Sequence, residues 1–251
     1  MKKRMIHIAL VVFALACMGA VWVLTSPTLA LRRIEIYGLE NLTEDDVLKK
    51  LPFSRGDNLL LISTAAAERR LAADGRIDSV SVRRSFPDGV IIWVHEKKPV
   101  YLLNCGTLWG ISRDGVAIPI DDPRRVASLP VINVAENYSP LPYRPVVDSS
   151  VVRSVAFLNR IAETDPDFLD RISEISSPEA GQFSLVLVGS GIEVKMSDDP
   201  AELEKLGVII ANLDTDTISP YEIDLRFPGQ GIVRFKPKMP EDKKNAETEN
   251  G

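Results

Sequence analysis

At 251 residues, 45% hydrophobic and 26% charged, the chain suits one membrane segment and one or two modest soluble domains. Its 30 Lys and Arg against 35 Asp and Glu leave a net charge of −5, which disfavours a nucleic-acid partner. Two His and two Cys are too few for a metal cluster, and Cys17, inside an apolar run, is poorly placed to form a disulfide with Cys105.

Residues 1–5 include Lys2, Lys3 and Arg4, and an apolar run over 5–24 follows, interrupted only by His7. Three readings compete for it. A cleaved signal peptide needs a shorter apolar core and a small-residue site, for which Thr28-Leu29-Ala30 is a poor candidate. A lipoprotein signal at Cys17 is opposed by the apolar residues 18–24 beyond it. A retained transmembrane helix over 6–25 matches the roughly 20 residues that a bilayer requires, with Trp22 as an interfacial aromatic. The basic cluster then predicts a cytoplasmic N-terminus and export of everything after Ser26.

After a linker at Ser26-Pro27-Thr28, residues 31–99 read as strand, helix, helix, strand, strand. Ile34 and Ile36 alternate with Arg33 and Glu35 until Gly38 breaks the run. Thr43 is an N-cap with Asp46 at N3; Val47, Leu48 and Leu51 share a helical face, and Pro52 ends it. Ser63 or Thr64 caps a second helix over 65–73, with Gly75 placed to close it. Val80 and Val82 lie on one strand face; Pro87-Asp88-Gly89 turns the chain; Val90, Ile92 and Val94 share the next face. Ile91 and Trp93, opposite, suggest a strand covered on both sides.

Residues 100–236 read as a mainly antiparallel β domain with two helices. Strands are expected at 100–103, at 108–112 and 116–120 around Arg113-Asp114-Gly115, at 172–175, 183–188 and 192–196, and in a last hairpin over 221–227 and 231–236. Residues 137–145, with three prolines, form an irregular loop. Ser149 or Ser150 caps a helix carrying Val151, Val155, Leu158 and Ala162 on one face; Leu203, Leu206, Ile210 and Leu213 mark the other helix. Residues 237–251 are charged and nearly free of apolar side chains, so disorder is expected there. The fold class is α+β: one N-terminal transmembrane helix, a small β-α-α-β-β domain and the larger β domain.

Residues 31–99 resemble a POTRA domain of the FtsQ/DivIB kind. The resemblance is carried by Ile34-x-Ile36-x-Gly38 with Asn41, by Gly56-Asp57-Asn58-Leu59, and by the hairpin from Val80 through Arg83-Arg84-x-Phe86-Pro87-Asp88 to Glu96 and Pro99-Val100. Ser112-Arg113-Asp114-Gly115 and Ile223-Asp224-Leu225-Arg226-Phe227 extend it into the second domain. Arg76-Ile77-Asp78 departs from the Pro-Trp-Val type of sequence that often opens that strand in the family. The resemblance implies a non-enzymatic single-pass division protein that recruits and links others at the septum: the bitopic coiled-coil proteins FtsB and FtsL, with further contacts to FtsW and FtsI. It also implies that FtsB adds a strand along the last strand, so that Phe227, Gly229, Gln230, Gly231, Ile232, Val233 and Phe235 form the partner site. Val82 and Arg84, matched through Val-Arg-Arg and Phe-Pro-Asp, would form a second docking surface on the hairpin.

The residues themselves offer no reaction centre. His95 lacks a nucleophile or further ligands, and His7 lies in the apolar run. Asp121-Asp122 and Asp198-Asp199, each followed by Pro, read as loop or cap acids, because adjacent strand residues point to opposite faces. Gly189-Ser190-Gly191 joins two strands instead of opening a helix, so it is no phosphate cradle, and Cys105 reads as a half-buried thiol. A last strand with no later element expected to cover it reads either as an open edge offered to a second chain or as a strand inside the sheet. The other reading, a POTRA chaperone for secreted or outer-membrane polypeptides, is opposed by the few residues left after Val100, which two helices interrupt. No cofactor or catalytic residue is expected.

Overall fold

The computed structural model describes residues 10–19, 27–134, 138–212, 220–227 and 230–235. Residues 10–19 are helical, and every one of them is exposed. The rest of the apolar segment expected over 6–25, and the tail over 237–251, lie outside the described residues. Among the described residues no helix is long and apolar enough to cross a membrane. The chain divides into two compact units, Met1–Lys97 and Lys98–Gly251.

The first unit holds β1 (Arg33–Tyr37), α1 (Glu44–Leu48), α2 (Thr64–Ala72), β2 (Ile77–Ser85) and β3 (Gly89–Glu96). The sheet order is β1-β3-β2, with β3 parallel to β1 and antiparallel to β2. Local chemistry starts both helices. Thr43 and Asp46 form a reciprocal capping box, and Ser63 accepts the Ala66 N–H. The end of α2 differs from expectation: Ala73 closes it by donating to Arg69 and Leu71, so Gly75 is not the cap. The predicted strand face is the core face. Val82, Val90, Ile92 and Val94 are buried with Leu31, Leu59 and Leu71. The opposite face is not covered within this unit: Ile91 is half-buried and Trp93 is exposed.

Two features explain the motif residues. Gly38 has φ +86°, and a Cβ there would lie 2.1 Å from the Val94 carbonyl oxygen, so the end of β1 requires glycine. Glu96, 8% exposed, accepts the N–H groups of Glu40 (2.7 Å), Asn41 (3.0 Å) and Leu42 (2.9 Å). Burial alone would push its carboxyl up; the three N–H groups together outweigh that and hold it below the usual range. Where the sequence departs from the family pattern, Arg76 forks onto Asp74 (2.9 and 3.1 Å) and reaches Asp46 (3.4 Å), tying both helices to the start of β2 at Ile77.

The second unit contains one nine-stranded sheet. Its strands are β4 (Tyr101–Asn104), β5 (Leu108–Ile111), β6 (Ala117–Pro119), β7 (Val131–Asn133), β8 (Ile172–Ser176), β9 (Gln182–Leu187), β10 (Glu193–Ser197), β11 (Pro220–Asp224) and β12 (Ile232–Phe235). The order is β12-β11-β10-β9-β8-β7-β4-β5-β6. The short β7 went unrecognised in the sequence, yet it lies within the sheet between β4 and β8.

Antiparallel pairings predominate, but β4/β7, β7/β8 and β10/β11 are parallel. Helices explain the last two: α3 (Ser149–Thr164) and the short α4 (Pro166–Leu169) connect β7 to β8, and α5 (Pro200–Asn212) connects β10 to β11. The cap of α3 is Asp148, not Ser149 or Ser150; its carboxylate accepts the N–H groups of Ser150 and Val151. Leu213, expected on α5, lies outside the described residues. Val151, Val155, Leu158 and Ile161 of α3 and Leu206 of α5 join Phe183, Leu185, Val194 and Ile223 in one core, where Phe157 stacks on Phe183 at 4.0 Å. The alternate residues Ser184, Glu193, Lys195 and Glu222 carry the polar face.

Candidate functional site: an outer strand edge

β12 pairs antiparallel with β11 through Asp224↔Ile232, Ile223↔Val233 and Glu222↔Arg234, with a bulge before Pro220↔Phe235. It ends the strand order, and among the described residues no strand pairs with its far side. Alternation tells which backbone groups face outward. Leu225 N–H donates to Lys195 of β10 at 2.8 Å, so Ile223 also faces β10, and Glu222 and Asp224 face β12. Their partners Arg234 and Ile232 spend their N–H and C=O groups on β11. Val233 and Phe235 therefore direct theirs away from the sheet.

Side chains anchor this edge from both faces. Val233 packs against the core. At Gly231 a Cβ would lie 2.6 Å from Ile209 Cδ1 of α5 and 3.2 Å from Leu225, so the chain reaches β12 flush with the helix. On the polar face the nearly buried Glu222 accepts from Lys195 Nζ at 3.0 Å and from Arg234, linking β10, β11 and β12. Asp224, 2% exposed, is gripped in parallel by Arg226 (2.9 and 2.7 Å), which holds its carboxyl below the usual range. Phe227 and Phe235 are 46% and 41% exposed, the first at the β11–β12 turn, where its carbonyl accepts the Gln230 N–H (3.1 Å), the second at the far end of β12. Gln230 is exposed, Ile232 is half-buried, and Gly229 lies outside the described residues.

In the first unit both residues of the second predicted surface are engaged within the fold. β2 is an outer strand, but Val82 is 4% exposed and packs in the core, and its outward N–H already donates to Glu68 Oε1 of α2 at 2.8 Å. A helix side chain blocks the edge at that point. Arg84 is not a free surface charge either: its guanidinium donates to the carbonyls of Leu59 (2.8 Å) and Ile62 (2.6 Å). A carboxylate there would face two carbonyl oxygens. Arg84→Glu is accordingly expected to destabilise the first unit by about 1–3 kcal/mol, read as a lowered urea midpoint; an unchanged midpoint would refute the structural role. A feature missed in the sequence lies on the exposed face, where Tyr37 stacks on Trp93 (6.4 Å) and Arg83 sits 5.7 Å from the Trp93 ring. Their cross-strand register would have revealed it, had the pairing been known.

The residues considered for chemistry are dispersed. His95 is exposed on β3, and Cys105 is buried with its thiol 3.5 Å from the Thr107 carbonyl oxygen. Asp122 caps a short 3-10 turn and binds Arg124; Asp198 pairs with Arg160; Gly189 and Gly191 turn the chain with φ +75° and +64°. Among the described residues no group of three His, Cys, Asp or Glu could hold a metal ion. The fold is thus two α+β units, the larger with an outer strand at β12.

Comparison with known proteins names the class more closely. Residues 29–97 match the family described as POTRA domain, FtsQ-type, and residues 102–226 match Cell division protein FtsQ/DivIB, C-terminal. The chain is similar to the Cell division protein FtsQ of Anaeromyxobacter sp. (28% identity, 82% of this chain and 72% of the relative) and of Myxococcus fulvus (25% identity, 73% and 64%). It also resembles that of Streptomyces collinus at 38% identity over 46% of this chain and 45% of the relative. The matched part spans less than two thirds of the Myxococcus relative's length. The chain belongs to the FtsQ/DivIB family of cell-division proteins.

Proposed function

We propose that the chain is a bitopic inner-membrane scaffold of the division machinery, which recruits and links division proteins at the septum by accepting a partner strand along β12. The observation that carries this reading is the outer position of β12, with Val233 and Phe235 directing backbone groups away from the sheet and an exposed aromatic, Phe227 or Phe235, at each end of the hairpin strand. Strand addition draws affinity from main-chain pairing, and the rings supply side-chain anchors. FtsB- and FtsL-like bitopic proteins are the partners in this reading, with FtsW and FtsI as further contacts. The apolar residues 5–24 behind Lys2-Lys3-Arg4 would span the inner membrane, with the N-terminus cytoplasmic and both units periplasmic. In support, the described part, residues 10–19, is apolar on all sides and exposed at every residue, as a helix meant for lipid would be. Confinement to the membrane would raise the partners' effective concentration at β12.

A photo-crosslinker in place of Phe235, in dividing cells, is expected to trap a bitopic division protein. The same group at Val147, 85% exposed and outside β12, is expected to trap none. Equal yields at both positions would remove the strand edge from the mechanism.

A further inference from the structure

One end of the first unit is built around the incoming chain. Leu59 N–H donates to Leu29 O (2.7 Å), Leu31 N–H to Asp57 O (2.8 Å), Gly56 N–H to Leu31 O (2.8 Å) and Arg32 N–H to Asp88 O (2.8 Å). The turn over 54–62 and the β2–β3 turn therefore flank residues 29–33. Both turns aim apolar side chains outward. Leu59 and Ile62 are buried, whereas Leu60 and Leu61 between them are 40% and 69% exposed, and Phe86 in the hairpin turn is 60% exposed. The turn is held in this shape: Arg84 binds the carbonyls of Leu59 and Ile62, and the Asn58 side chain accepts the Leu60 N–H at 2.8 Å. Exposed cations accompany it, with Arg32 and Arg33 on the incoming strand and Arg55 in the turn; Arg33 also donates to the Asp88 carboxylate (2.9 Å) and keeps its side chain more than half exposed. Large apolar side chains fixed outward on a small unit mark a contact surface.

Covalent geometry limits what that contact can be. From Leu24, the last residue of the apolar run, to Leu29 is a five-residue step, at most about 18 Å even when fully extended. If the run spans the bilayer, which is the reading proposed above and on which this inference rests, this end of the unit is tethered beside the lipid headgroups. We infer that it is a lipid-contacting base: Leu60, Leu61 and Phe86 enter the headgroup–acyl boundary of an anionic membrane, and Arg32, Arg33 and Arg55 lie at its phosphates. Aliphatic and aromatic side chains with arginines nearby are the chemistry of such an interface. The consequence is a unit docked on the membrane instead of swinging on its tether.

The test uses the full chain in vesicles of phosphatidylethanolamine and phosphatidylglycerol, with a nitroxide on Leu61→Cys, or on Val147→Cys in the second unit as reference. Both variants carry Cys17→Ala, and Cys105 is buried. The label at 61 is expected to lose collisions with a water-soluble nickel chelate several-fold relative to the label at 147 while keeping those with oxygen. The difference is expected to shrink when phosphatidylglycerol is replaced by phosphatidylcholine. If the protein floats with the vesicles but both labels collide equally with nickel, the lipid-contacting base is refuted and the membrane anchor stands. If the protein does not float with the vesicles, the anchor reading fails and this inference falls with it.

Discussion

Val233→Pro is expected to abolish capture of a partner strand by β12 while both units stay folded. The N–H removed is one that points away from β11, so the pairing of β12 with its own sheet keeps its donors at Ile232 and Arg234. Proline is tolerated on an edge strand for that reason, and it obstructs an incoming chain on the side it occupies. A weakening of roughly tenfold or more corresponds to about 1.4 kcal/mol. Phe235→Ala tests the side-chain half of the site. Truncation of an aromatic anchor at an interface typically costs about 2 kcal/mol or more, roughly thirtyfold in affinity. Titration of the partner's extracytoplasmic segment against wild type and both variants measures the effect, with circular dichroism melting to confirm folding. Removal of everything after Gln230 should eliminate binding altogether. Unchanged affinity in all three variants would sink the β12 assignment.

Glu96→Ala is expected to damage the first unit severely, because one carboxylate serves three backbone donors at residues 40–42. Leaving those donors without an acceptor costs about 3 kcal/mol or more, and Glu96→Gln, which keeps an oxygen but loses the charge, roughly half of that. Acid should act in the same direction. In the folded chain the Glu96 carboxyl is held below the ordinary glutamate value of 4.5, so the unfolded chain binds the proton more tightly. Its stabilisation is therefore complete above pH 4.5 and is lost as the pH falls through the native value. Asp74 adds to this: burial opposes ionisation, but Arg76 and Lys50 overcome it and hold the carboxyl well below the usual range. Amide exchange at residues 40–42 offers a local readout. It should speed up in Glu96→Ala at neutral pH, and wild-type protection there should fall below pH 4.5 after correction for intrinsic exchange. Protection that is indifferent both to the substitution and to acid would show that these amides depend on other groups.

The Thr43–Asp46 capping box, the buried row Val90, Ile92 and Val94, and the order of elements in the first unit were all legible in the chain. Each depends on residues two to four apart, where backbone period and side-chain reach are decided locally. Most of the strands in the second half were legible for the same reason, to within a residue or two at their ends. A three-residue strand such as β7 is too short to show a period, and the choice among Asp148, Ser149 and Ser150 as a cap turns on which residue takes extended backbone.

The candidate site was legible only in part. The outer place of β12 in the strand order agrees with the late position of that strand in the chain, while its use as a partner edge and the aromatic anchors are what the family resemblance implies. Which of its N–H groups face outward, and the contact of Gly231 with Ile209 of α5, required the pairing with β11 and the packing of the helix. The fate of the second surface shows the limit most clearly. Alternation put Val82 on a strand and resemblance put Arg84 beside it, but Glu68, 14 residues earlier, occupies the Val82 N–H, and Arg84 reaches back 25 residues to Leu59. A residue's own neighbours in sequence set its secondary structure and the face it presents. Whether that face meets core, a blocking carboxylate or open solvent is decided by long-range pairing, because hydrogen bonds and burial are satisfied by whatever the fold brings near.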